Sequence, residues 1–182
     1  MHFRRIAKDI DVAPLLAQID ARPGLWNLYG GRTNPGSPHY GVDDIWVRYR
    51  TLKELTTAES FREPHFAVCY PAWHVLSALQ PIVFDLMART RAFYLGGILI
   101  TRIPPGGEVK PHHDRGSWHA EFCNCKVYVG LRSNPQCTNH CEDESIVIGP
   151  GEAVTFNNLL VHSVENRGTT ERITAIVCMR TK

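Results

Sequence analysis

Five short runs rich in β-branched and aromatic residues fill the second half of the chain: YLGGILITRI, KVYVGL, SIVI, AVTF and RITAIVCM. Turn signals separate them at PPGG, RSNPQ and GPGE. Many short strands punctuated in this way predict a sandwich or barrel. The first half has a different texture. VAPLLAQIDA sets Val12, Leu15, Leu16 and Ile19 at helical spacing, and RPGLWNLYGGRTNPGSPHYG is dense in Gly and Pro, hence loop. IWVRYR alternates as a strand over Ile45–Arg50. Between Trp73 and Met87 the apolar residues Trp73, Leu76, Leu79, Val83, Leu86 and Met87 form a helical stripe, in which Pro81 starts a second helix or kinks one long one.

A length of 182 residues supports one well-filled core rather than two. The expected organisation is a single domain over 1–182, helical and loop-rich over 1–93 and β-rich over 94–182. Lys and Arg number 20 against 18 Asp and Glu, a net charge of +2. That balance argues against nucleic acid or an anionic membrane as the main partner. No apolar run approaches the roughly 20 residues that span a bilayer. MHFRRIAKDIDVAP lacks the apolar stretch of a secretory signal, so the expected location is the cytoplasm.

In such a compartment the six cysteines (Cys69, Cys123, Cys125, Cys137, Cys141 and Cys178) are not expected to form a disulfide framework. Cys123, Cys125, Cys137, His140 and Cys141 offer a thiolate zinc site on paper. Their C-x-C and C-x3-C spacings are not those of common structural zinc motifs, and free thiols are the expectation.

The histidines carry more. In KPHHDRGSWH, an extended chain puts His112 and Asp114 on one face and His113 on the other. His119 follows the loop DRGSW and is not expected to ligate. With His162 as third ligand, His112 and Asp114 make a 2-His-1-carboxylate set, which leaves coordination positions open and is characteristic of non-haem Fe(II) oxygenases. HSVENRGTTER runs from His162 to Arg172. A hairpin with loop Asn166-Arg167-Gly168, Gly168 left-handed, would set 162 opposite 172 with Cβ atoms about 4.5–5.5 Å apart. Arg172 would then stand beside the metal, placed to grip a carboxylate by two parallel hydrogen bonds.

PPGGEVKPHHD, KVYVGL and GEAVTFNNLLVHSVENRGTTER, in that order and spacing, resemble the Fe(II)/2-oxoglutarate-dependent oxygenases and, among them, the aspartyl/asparaginyl β-hydroxylase-like branch. The resemblance runs over roughly Leu95 to Met179. It implies an all-β core with flanking helices: a double-stranded β-helix (jelly-roll, cupin-like) with N-terminal helices packed on the barrel. It also implies Fe(II) held by His112, Asp114 and His162, and 2-oxoglutarate held through its distal carboxylate by Arg172. Lys126, Tyr128 and Thr101 fall where the branch places further polar contacts to the co-substrate. Asn157 and Asn158 replace the branch's usual acidic pair, and Asp114 is a ligand that some animal members lack.

The implied activity uses O2 to hydroxylate a protein-bound Asp- or Asn-type side chain, a free amino acid or a similar small molecule. Two other readings stay open at this point. A cupin-like metalloenzyme without 2-oxoglutarate would keep the three ligands and have no need of Arg172. A non-enzymatic module would rest on zinc at the cysteines. Arg102, Arg115 and Arg167 are further cations that an acidic substrate could meet.

Overall fold

A computed structural model describes residues 2–182 apart from 55, 56, 58, 59, 61, 62 and 115, and apart from the side chains of 117, 119 and 120. The chain begins with β1 (Phe3–Ala7), α1 (Ala13–Asp20), β2 (Asp43–Tyr49), β3 (Val68–Cys69), α2 (Pro71–Val75) and α3 (Leu79–Thr90). Next come β4 (Ala92–Ile103), β5 (Glu108–His112), α4 (Ser117–Phe122), β6 (Cys125–Arg132), β7 (Cys137–Cys141) and β8 (Glu144–Ile146). β9 (Ala153–Phe156), β10 (His162–Asn166) and β11 (Arg172–Thr181) follow.

Among the described residues the strands form two antiparallel sheets, ordered β1-β9-β6-β11-β4-β2-β3 and β5-β10-β7-β8. Alternation along the central strands explains the layers. Ile173, Ala175, Val177 and Met179 of β11, with Ile98 and Ile100 of β4 and Val127 and Val129 of β6, join a core with Leu15 and Ile19 of α1 and Ile82, Val83 and Leu86 of α3. The opposite faces of the same strands look into the barrel. There Leu99, Tyr128 and Ile176 of the large sheet pack with Cys141 of the small one, and Ile103 packs with Val109, Cys137 and Val164. Both faces of β4, β6 and β11 are therefore covered, which is why their sequences read as nearly continuous apolar runs. This is the jelly-roll with helices on its outer face that the resemblance implies.

The N-terminal part is less helical than expected. β1 pairs with β9, and β2 with β4, so both belong to the large sheet. The Trp73–Met87 stripe is two helices, with Pro81 in the first turn of α3, where its missing N–H leaves no helical bond unmade.

The hairpin expected between residues 162 and 172 does not form. β10 pairs with β5 and β7 in the small sheet, and β11 with β4 and β6 in the large one. The intervening chain crosses between sheets, and buried Asn166 holds the bend. Its amide donates to the carbonyls of Ile103, Pro104 and Thr170, and its Oδ1 accepts from Gly168 N–H. Gly168 is not among the residues with positive φ. It is needed because a Cβ there would lie 2.2 Å from Oδ1 of Asn134.

Candidate metal centre

β5 and β10 bring the two histidines together: His112 and His162 are register partners, with ring centroids 4.3 Å apart. Each is oriented by the same local device. His112 Nδ1 donates to the Lys110 carbonyl at 2.8 Å, and His162 Nδ1 to that of Leu160 at 2.9 Å. A proton fixed on Nδ1 leaves the lone pair on Nε2. Both Nε2 atoms are buried and make no hydrogen bond among the described residues. Asp114 lies two residues past His112, its Oδ1 3.8 Å from His112 Nε2 and its Oδ2 3.9 Å from His162 Nε2. Among the described residues these three alone form a group able to hold a metal ion, with ligand atoms within 4.8 Å of one another.

Electrostatics agree with that use. Burial pushes the His162 imidazole down to about 4, with the Lys126 charge adding to the effect, and burial likewise lowers His112. Both rings are neutral at pH 7, as ligation requires. Phe156 packs its ring against His162 at 5.0 Å, and His39 packs edge-on against His112 at 4.8 Å. His39 Nδ1 accepts from Arg32 Nη2 at 3.2 Å, and Arg32 Nη1 reaches the buried Asp44 carboxylate at 3.3 Å. Two lone pairs with no donor in reach, beside a carboxylate, fit a divalent first-row metal of the Fe(II) type.

Asp114 is held from two directions. Lys126, buried on β6, places Nζ 2.5 Å from Oδ2, and Asn158 donates to the same oxygen at 3.2 Å. Asp114 N–H donates to the Asn158 carbonyl at 2.9 Å. Burial is the largest influence and opposes the Lys126 charge, but Asp114, Tyr128 and Cys178 together outweigh it and the ammonium is raised overall.

Arg172 is buried and looks into the barrel from β11, its Nη2 donating to Oδ1 of Asn139 at 3.0 Å. Burial lowers it below the usual arginine range. Among the described residues no carboxylate lies within ion-pair distance of its guanidinium, so a buried cation faces inward with its counter-ion to be supplied. The Tyr128 ring stands between the two cations, 5.8 Å from Lys126 Nζ and 5.6 Å from Arg172 Cζ. Thr101 pairs in register with Thr174, whose buried Oγ1 has no hydrogen-bond partner. The barrel therefore contains a polar strip from His112, Asp114 and His162 to Arg172, flanked by Tyr128, Thr101 and Thr174. It suits a ligand with an acid group at each end.

Other candidates are used elsewhere. His113 is exposed, and the side chain of His119 and all of Arg115 lie outside the described residues. Arg102 pairs with Asp43 and lies over the Trp26 ring, and Arg167 pairs with Glu165 at the surface. The four cysteines of the zinc reading fall in four separate apolar clusters. Cys137 and Cys141 both point inward because alternate residues of β7 do, which accounts for the C-x3-C spacing. Sequence reasoning missed Asn139, Asn158 in its contact with Asp114, Thr174, and the Arg32–His39 pair. Asn139 sits midway between those two cysteines, an alternation that marks it as inward-facing.

The sequence profile of the aspartyl/asparaginyl beta-hydroxylase family matches residues 55–181. No curated protein matches the sequence. Solved structures share the fold at low identity. A 2OG-Fe(II) oxygenase family oxidoreductase from Burkholderia pseudomallei is 13% identical, with TM-score 0.60 over 90% of this chain and 77% of that one. The viral collagen prolyl hydroxylase of Paramecium Bursaria Chlorella virus-1 is 12% identical, with TM-score 0.59 over 100% and 97%. A Trichoplax adhaerens prolyl hydroxylase, in complex with a hypoxia inducible factor peptide fragment, is 12% identical, with TM-score 0.58 over 98% and 83%. By the match over most of its length, the chain belongs to the aspartyl/asparaginyl β-hydroxylase family and is an Fe(II)- and 2-oxoglutarate-dependent hydroxylase.

Proposed function

We propose that His112, Asp114 and His162 hold the iron, that Arg172 takes the distal carboxylate of 2-oxoglutarate, and that the substrate is an anionic amino-acid side chain in a polypeptide. The observation that carries the reading is the pairing of two Nε2 atoms that meet no donor with a buried guanidinium that has no carboxylate partner, both among the described residues. When bound, iron supplies the oxidation chemistry by which O2 and 2-oxoglutarate become succinate and CO2 while one oxygen atom enters a substrate C–H bond. The protein's own residues do the rest. The Nδ1–carbonyl bonds fix both imidazoles, Tyr128 and the two threonines flank the co-substrate chain, and the apolar barrel wall excludes water.

Charge supports the substrate class. Arg32, Lys126 and Arg172 face Asp44 and Asp114 around the site. The dication and the dianionic co-substrate cancel, leaving one positive charge for a substrate carboxylate to balance. The polypeptides named with two of the structural neighbours, collagen and a hypoxia inducible factor fragment, support a polypeptide over a free amino acid.

Protein loaded anaerobically with Fe(II) should develop the charge-transfer absorbance of the 2-oxoglutarate chelate, and His112→Ala should abolish it. Asp-containing peptides should then raise succinate release above the substrate-free rate, and above that with free aspartate. An identical absorbance in His112→Ala would overturn the ligand set. Equal stimulation by neutral peptides would overturn the substrate class.

A further inference from the structure

β5 ends at His112, so Asp114 lies two residues beyond the strand, where its N–H donates to the Asn158 carbonyl at 2.9 Å. Lys126 is its opposite: it lies on a central strand, in register with Cys178 on one side and Phe156 on the other, so its backbone is fixed from both sides. Its ammonium spans the barrel to Oδ2 of Asp114 at 2.5 Å, and the Asn158 amide reaches the same oxygen at 3.2 Å. The resemblance to the family places Lys126 against the co-substrate instead.

We infer that Lys126 is a positioning residue acting on Asp114, which keeps the carboxylate's Oδ2 engaged so that it meets the metal through one oxygen. The inference rests on the ligand set proposed above. A carboxylate can ligate through one oxygen or both. In an octahedral site three protein atoms leave three positions, enough for a bidentate oxo-acid and O2. A second carboxylate oxygen would take one of them. A charge-assisted hydrogen bond is stronger than a neutral one, and a neutral donor at Asn158 reinforces it. Together they oppose rotation of Oδ2 toward the metal.

The test compares the full-length wild type with Lys126→Met and Lys126→Arg by anaerobic Co(II) titration, followed by 2-oxoglutarate titration of Fe(II)-saturated protein. Loss of a partner behind a ligand commonly costs about 10- to 100-fold in metal affinity. Lys126→Met should lose that much, Lys126→Arg should recover most of it, and 2-oxoglutarate affinity at saturating metal should move less than about threefold. Unchanged or tighter metal binding with weakened 2-oxoglutarate binding would overturn the inference and make Lys126 a co-substrate contact. Failure of Lys126→Arg to improve on Lys126→Met would also overturn it. If Lys126→Met does not fold, Asn158→Ala removes the other donor to Oδ2. It should weaken Co(II) binding severalfold, and no change would count against the inference. Equal Co(II) affinity in wild type and His112→Ala would instead show that the ligand set itself is wrong.

Discussion

Arg172 and Asn139 join the two sheets across the barrel: the guanidinium on β11 donates to the amide oxygen on β7 at 3.0 Å, and both side chains are buried. The bond aims a cation that has no carboxylate partner among the described residues. Arg172→Met should therefore weaken 2-oxoglutarate binding about 10- to 100-fold, since a hydrogen bond to a charged group contributes about 1.5–3 kcal/mol and each 1.4 kcal/mol is tenfold. Metal affinity should stay as it was. Anaerobic titrations of each ligand separate the two, and parallel loss of both would refute the role given to Arg172.

Metal removal should be legible in stability. The Nε2 atoms of His112 and His162 have no hydrogen-bond partner among the described residues, so a bound metal adds interactions rather than replacing them. With free metal at about 100 times its dissociation constant the native state gains about 2.7 kcal/mol. For a chain of this size that raises the melting temperature by roughly 5–11 °C. Thermal unfolding with Mn(II) or Co(II) against chelator checks it, and His162→Ala should erase the difference.

The large sheet and the His112–Asp114 part of the candidate site were readable in the sequence because both depend on short-range pattern. β4, β6 and β11 are covered on both faces and announce themselves as apolar runs, and His112 and Asp114 are near neighbours in the chain. Pairing was not readable. The segment from His162 to Arg172 has the length and a glycine for a hairpin, and bonds of buried Asn166 to Ile103, Pro104 and the backbone of Gly106 and Gly107, some sixty residues away, hold it as a crossover. β7 was hidden for a related reason: CTNHC looks like metal chemistry until its alternate residues are seen to face the barrel. The family resemblance set Lys126 against the co-substrate; its attachment to Asp114 joins positions twelve residues apart on separate elements and leaves no local trace.

Gly168→Ala tests the crossover. The new Cβ would sit 2.2 Å from Asn134 Oδ1. That amide cannot swing aside freely, because it donates to Asn166 Oδ1 and to the Thr170 carbonyl and accepts from Gln136 N–H. Overpacking of this kind costs about 1–3 kcal/mol, or roughly 2–12 °C in melting temperature. A neutral result by thermal unfolding would mean that the bend is not packed as described.

Acid should weaken the metal-free protein through His162. An unfolded histidine titrates near 6.5, whereas burial and then the Lys126 charge hold this one at about 4. Between those values the unfolded chain takes up a proton that the native state refuses, so stability rises with pH across the interval. The contribution is complete above about 6.5, declines as pH falls toward 4, and changes no further below that. Burial shifts His39, His65 and His112 in the same direction, while it raises Asp44, which works the opposite way. The contribution of one ring is isolated by comparing urea midpoints of wild type and His162→Gln, both metal-free, at pH 5 and pH 7. The wild type should lose more on acidification than the variant. Equal losses would mean that His162 takes up its proton as readily in the folded barrel as in the open chain, and the neutral imidazole on which metal binding depends would have to be given up.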